Sequence, residues 1–361
     1  MLINSISIKP IKNLLGGETI EAEINNRYTA SSPIGTSKSS YEAKALPANK
    51  AIKNFQKIKK QFTGSFSQNS FDELLKKKMH LLGSTATTAL SLAFFKPSKP
   101  LNIFPHLLGN VAGGGAHGGF GYIQEILTTP KAKTIGEAIA INTKIWKDIG
   151  KHAKKTTSES AWIVGDDLKA LQIVRKIADN YSAKMGIDFA ASQIYKNGFY
   201  CYGKKKIIKE KQMDYIAELR NRFDLYYIED PLNETDFSGF AQLKKSLKKT
   251  LICGDDLIAT NKKRFSVAAK RKSINAVIIK PNQAGNVTDC LEIIKMAKKR
   301  KIVPVVSHRS GETKDATISL LALHAPLAKL GVAGNRIYKL NELKRLWREA
   351  KKPGMSKLRI K

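Results

Sequence analysis

Acidic residues are scarce in this chain. Of its 361 residues only 30 are Asp or Glu, against 63 Lys or Arg, which gives a formal net charge of +33. Such an excess predicts attraction to polyanions, and nucleic acid, anionic membrane and phosphorylated metabolites all qualify. Cysteine is scarcer still. Cys201, Cys253 and Cys290 are odd in number and far apart, with no Cys-X-X-Cys pair, which excludes a disulfide framework and a thiolate zinc site. Long apolar runs are missing too: the longest nearly apolar stretch, 89–95, falls far short of the roughly 20 residues that span a bilayer. The opening MLINSISIKPIKN lacks the basic segment, apolar core and small-residue cleavage site of a secretory leader. A protein of the reducing cytoplasm is expected, with no membrane contact. Since 42% of the residues are hydrophobic, a disordered basic tail is excluded as well.

The chain is long enough for two domains, or for one large barrel with an appendage. Residues 1–48 carry short strand-like runs, such as Thr19 to Ile24, and then a Ser/Gly/Thr-rich segment from Ser31 to Ser40. From Lys50 to Lys96 the text is helical, broken near Gly64 to Asn69, and the prolines of KPSKP (96–100) read as a linker. A boundary near residue 100 follows, with a small α+β domain over 1–100 and a β/α barrel over 101–361. Beyond residue 185 the runs MGIDFA, YYIEDP, LICGDD, AVIIKPN and VPVVSHRSG each end in polar residues and precede a helical segment, a βα alternation. After Asn286, the positions Cys290, Ile293, Ile294 and Ala297 form one apolar stripe, leaving Lys295 and Lys298 to water.

Glu229, Asp255, Lys280 and His308 follow one another at intervals of 26, 25 and 28 residues, about one strand plus one crossover helix each. In a parallel barrel the C-terminal ends of all strands share one face, so these residues converge there. An open doubly wound sheet would converge its groups at one switch point instead. The α/β class with a barrel of the (β/α)8 TIM type is therefore expected.

Asp188, Glu229 and Asp255 each end an expected strand. Three carboxylates at one mouth repel unless a cation lies between them, and hard oxygen ligands favour Mg²⁺. Taken singly, each could equally cap the helix that follows it. Lys280, after four apolar residues, points into the same mouth, where dehydration and a nearby metal would weaken its ammonium and make it a candidate base. Ser307, His308, Arg309 and Ser310 supply hydroxyl, imidazole and guanidinium groups suited to a phosphate. A Ser307–His308 hydrolase pair is disfavoured because adjacent strand residues face opposite sides. GGGAHG satisfies the Gly-X-Gly-X-X-Gly pattern, but PHLLGN ahead of it does not read as the strand a dinucleotide site requires.

YIEDP, CGDDLIATN, IIKPNQAGN, VVSHRSGET and KLGVAGNRIYKLNEL, in this order, resemble the C-terminal barrel of the enolase family. GGGAHGG and QEILTTP upstream, and GGETIEAEI with SSPIGTSKSSYEA near the N-terminus, extend the resemblance over nearly the whole chain. It implies reversible dehydration of 2-phosphoglycerate to phosphoenolpyruvate with Mg²⁺ bound by Asp188, Glu229 and Asp255. It further implies Lys280 as base, the stretch Ser307 to Ser310 as substrate loop, and Lys329 opposite the substrate carboxylate. His117 falls on the glycine-rich loop, Gln124 and Glu125 on the motif after it, and Ser37 where a second metal is bound. For the general acid two segments compete, ESAW with Glu159 and VGDD with Asp166 and Asp167, and Glu159 keeps the following text in better register. The mobile loop departs from the family pattern at Ile34, Lys38 and Ser39, and the glycine-rich turn at Gly113. A homodimer is implied by the same resemblance. Two rivals stay open: a catalytically weakened homologue binding RNA or other polyanions through its charge, and another Mg²⁺ enzyme abstracting a proton beside a carboxylate.

Overall fold

The structure is a computed structural model, and it describes residues 1–36, 39–115, 118–119 and 121–358. Three antiparallel strands, Ile6–Lys12, Glu18–Ile24 and Tyr28–Ser31, form the N-terminal sheet. Alternation decides its faces: Ile20, Ala22 and Ile24 point inward while Lys9 and Lys12 remain in water. The helical text resolves into Ala48–Ile58 and Gln68–Phe95. The longer helix starts at Ser67, whose hydroxyl accepts from Ser70 N–H in a reciprocal cap. It kinks at Gly83, where φ is +73° and a Cβ would lie 2.4 Å from the Leu46 nitrogen.

Nine strands make the second sheet, in the order His106–Leu107, Leu327–Lys329, Val303–Ser307, Ala276–Ile279, Leu251–Gly254, Leu225–Glu229, Ala183–Asp188, Glu125–Pro130 and Gly109–Gly113. Its first and last members are consecutive in the chain, so the two ends of the sheet meet at Leu108 and the barrel is nearly closed. Within this sheet the expected βα alternation holds from Ala183 onward with parallel pairing, interrupted only by a separate antiparallel three-stranded insert over 195–207. Before that the sheet departs from a uniform (β/α)8 pattern. Glu125–Pro130 runs antiparallel to both of its neighbours, Gly109–Gly113 preceding it in the chain with no crossover α-helix among the described residues between them. The barrel strands are buried on both faces, one packing inward and the other against the helices.

The helix Val287–Lys299 buries Cys290, Ile293, Ile294 and Ala297 and exposes Lys295 and Lys298, as its periodicity requires. Asn286 caps it, accepting from Asp289 N–H. Asp72, from the long N-terminal helix, accepts from Thr288 N–H at 2.8 Å and its hydroxyl at 2.6 Å, tying the first part of the chain to the barrel. Farther along, Ile34 forms an antiparallel bridge with Gly311, and Ser31 and Thr313 share a hydroxyl hydrogen bond of 2.6 Å.

Candidate active site

Parallel strands deliver the expected residues to one mouth. Asp188, Glu229, Ser307 and Lys329 end their strands, while Asp255 and Lys280 stand one residue beyond theirs. Glu125 arrives differently. It begins its strand, and the antiparallel direction brings that end to the same face, where it pairs in register with Asp188, itself in register with Glu229.

Lys329 is 2% exposed and its ammonium lies 2.8 Å from Asp188 Oδ2, 3.0 Å from both Glu229 oxygens and 3.1 Å from Glu125 Oε2. Burial works against its charge, but Asp188, Glu125 and Glu229 together hold it protonated, well above the ordinary lysine range. Burial and the Asp188 charge push Glu229 up to about 8, with Lys329 opposing. Burial likewise drives Glu125 upward. The Tyr227 hydroxyl donates to Glu229 Oε2 at 2.6 Å, and Gln124 Nε2 reaches Asp188 Oδ2 at 3.5 Å.

Lys280 bonds to Asp255 Oδ2, and Gln283 donates to the other Asp255 oxygen at 2.9 Å. The expected weakening of the Lys280 ammonium is not what this arrangement produces. Burial does lower its proton affinity, but the Asp255 carboxylate outweighs burial and the net direction is upward. Reciprocally, burial raises Asp255 and Lys280 more than reverses it, leaving Asp255 below the usual carboxylate range.

The substrate-loop candidates are all buried. Arg309 forms a two-pronged ion pair with Glu42, at 3.0 and 3.1 Å, and Gly35 packs so closely that a Cβ there would fall 1.7 Å from Arg309 Nη2. The Ser310 hydroxyl accepts from Thr36 N–H at 2.8 Å. Ser307 donates to the His308 carbonyl, so no Ser–His pair exists of the kind a hydrolase needs. His308 is buried, 3.8 Å from Glu159, and burial lowers its proton affinity well below the usual value.

Glu159 and the VGDD acids separate clearly. Glu159 faces His308 and Arg336 and accepts from Asn110 Nδ2 at 3.3 Å. Asp167 accepts from Tyr122 N–H at 2.9 Å and Ile123 N–H at 3.0 Å, and Asp166 caps the helix Asp167–Asn180. Both aspartates serve the backbone. Ser37, Lys38 and His117 lie outside the described residues. The argument against a dinucleotide loop changes: a strand, Gly109–Gly113, does precede it, but the next α-helix or strand among the described residues is the strand Glu125–Pro130, which offers no α-helix N-terminus to a pyrophosphate.

For a metal, the all-carboxylate donor set of Asp188, Glu229 and Asp255 fits a hard divalent cation, with Glu229 pushed upward first by burial and then by the Asp188 charge. Their oxygens are not drawn into one cage, because the two lysines stand against them. The tight ligand groups among the described residues are Asp230–Asp255–Asp256 and Glu125–Glu159–His308, each with atoms within 4.8 Å. Glu42, Gln283, Tyr227 and Arg336 were not singled out from sequence. All four lie inside motifs that were, YEA, KPNQ, YIEDP and GNR, and that adjacency was the available signal.

A nearly closed barrel whose mouth sets lysines against carboxylates fits the class of barrel enzymes that act on small molecules. The family model described as "Enolase, C-terminal TIM barrel domain" matches residues 102–354. The chain is 36% identical to "Enolase" of Archaeoglobus fulgidus, covering 98% of this chain and 99% of the relative. It is 34% identical to "Enolase" of Natronomonas pharaonis over 96% and 98% of the two chains, and 34% to that of Methanosphaera stadtmanae over 99% of each. The chain belongs to the enolase family and is a lyase of that family.

Proposed function

We propose that this protein interconverts 2-phosphoglycerate and phosphoenolpyruvate with the residues of the barrel mouth, using Mg²⁺. The supporting observation is the opposition of two lysines, one partly buried and one buried, to separate carboxylates at one mouth: Lys280 to Asp255, and Lys329 to Asp188, Glu229 and Glu125. Lys280 takes the proton from C2, beside the substrate carboxylate. Lys329 neutralises that carboxylate as charge develops on it. Glu159 protonates the departing hydroxyl, Glu125 orients it, and Gln124 steadies Asp188. His308, Arg309 and Ser310, with Ser307 behind them, hold the phosphate, and His117 acts from the glycine-rich loop. Asp188, Glu229 and Asp255 would hold the cation, which would supply further positive charge at the substrate carboxylate. Ser37 is the candidate ligand for a second Mg²⁺.

Residues 1–100 are proposed as a capping domain and 101–361 as the catalytic barrel. A homodimer in the cytoplasm completes the reading; no helix among the described residues is long and apolar enough to cross a membrane. Polyanion binding is carried only as a side effect of charge. With Mg²⁺ present, the purified protein is expected to produce phosphoenolpyruvate from 2-phosphoglycerate, followed by its enol absorbance, and Lys280→Ala is expected to lose about 10²–10⁴-fold in turnover while remaining folded. Inactivity throughout a Mg²⁺ titration, with tight salt-sensitive RNA binding in its place, would refute the assignment.

A further inference from the structure

Behind Glu159 stands Arg336, a guanidinium with no solvent exposure. It closes the short turn Gly334–Arg336 between the strand ending at Lys329 and the helix Ile337–Glu349. Its Nη2 lies 3.5 Å from Glu159 Oε1 and donates to the carbonyls of Ser310, at 2.9 Å, and Arg309, at 3.3 Å. Among the described residues, Nε and Nη1 have no hydrogen-bond acceptor. Burying a cation with most of its donors unmet is costly, and a smaller neutral residue would fill the turn at lower cost. Among the described residues, the polar partners of its guanidinium all belong to the site: one carboxylate and the backbone of the substrate loop.

We propose that Arg336 is a positioning residue for proton delivery by Glu159, tying the carboxyl group to the loop that carries Arg309 and Ser310. The inference rests on the reading of Glu159 as general acid. Once Lys280 has taken the C2 proton, the electron pair left on C2 forms the C2–C3 double bond as the C3–O bond breaks. The leaving hydroxyl takes the proton of Glu159 and departs as water. Glu159 is left as a carboxylate, and Arg336 stands ready to balance it. Arg336 therefore acts on the elimination and not on the abstraction of the C2 proton, which is the work of Lys280.

The two half-reactions can be followed separately in D₂O with Mg²⁺ and 2-phosphoglycerate: deuterium entry at C2, and phosphoenolpyruvate formation. In Arg336→Lys and Arg336→Gln, phosphoenolpyruvate formation is expected to fall about tenfold or more, a barrier change of about 1.4 kcal/mol, while deuterium entry stays within about threefold of the unaltered protein. Parallel loss of both rates, or loss of neither, overturns the proposal. Arg336→Lys keeps a buried cation and carries the test if Arg336→Gln fails to fold; failure of both to fold assigns Arg336 to the architecture alone and also overturns it. Glu159→Gln separates the two claims. If that variant forms phosphoenolpyruvate at the normal rate, the role of Glu159 fails and Arg336 loses its own with it. If Glu159→Gln blocks elimination and spares exchange while the Arg336 variants lose both rates together, only the positioning role falls.

Discussion

Glu159 and Asp167 carry the same charge and differ in what they face. The first looks into the mouth at His308 and Arg336; the second is spent on two backbone N–H groups. Glu159→Gln should therefore lower turnover about 10²–10⁴-fold with little change in thermal stability. Asp167→Ala should do the reverse, costing about 1–3 kcal/mol in a urea titration by leaving Tyr122 and Ile123 N–H without an acceptor, and sparing most of the turnover. At this scale sequence reading succeeds where chemistry recurs at a fixed interval, as for Glu229, Asp255 and Lys280. It misses Glu42, whose partner Arg309 is 267 positions away, because nothing near Glu42 in the chain marks a carboxylate needed by a distant guanidinium.

Among the elements, the kinked helix Gln68–Phe95 is the most exacting. Gly83→Ala adds a methyl group against the Leu46 backbone and forces a positive φ on a side chain, so about 2 kcal/mol or more of stability should be lost, read as a lower denaturant midpoint. The same helix ends at Phe95, whose ring lies 6.2 Å from that of His324. Burial lowers the proton affinity of His324 below its ordinary value of 6.5. A folded-state value below the unfolded one means that stability is intact above about pH 6.5 and is lost as pH falls through the folded value, since the unfolded chain takes up the proton first. Relative to His324→Leu, the unaltered protein should therefore lose stability progressively below that pH and show a flat difference above it, in melts recorded at each pH. The period of the βα units was readable because each buries one stripe and exposes the other. The antiparallel pair from Gly109 to Pro130 was not, since antiparallel entry into an otherwise parallel barrel depends on pairing partners that lie far along the chain, such as Ala183–Asp188.

For the molecule as a whole, the charge divides into two populations. Lys329, Arg336 and Lys339 are fully buried among carboxylates and loop carbonyls, whereas Lys248, Lys249, Lys295 and Lys298 lie in water. Exposed lysines attract any polyanion and are screened within about 10 Å at 0.1 M salt. Duplex RNA should accordingly bind at low ionic strength and let go by about 0.2 M salt, with no sequence preference and no loss of turnover at the higher salt. Retention at that salt, measured by fluorescence anisotropy, would mean a built nucleic-acid surface.

Gly35 sits against Arg309 with no room for even a methyl group, and Thr36 and Glu42 hold the same loop from the same side. The freedom of the N-terminal segment to drift in sequence is thus limited by a residue some 270 positions downstream. The barrel strands joined to a foreign N-terminal segment would carry a guanidinium with the wrong neighbours, so residues 35–42 and the loop at Arg309 are heritable only as a matched pair.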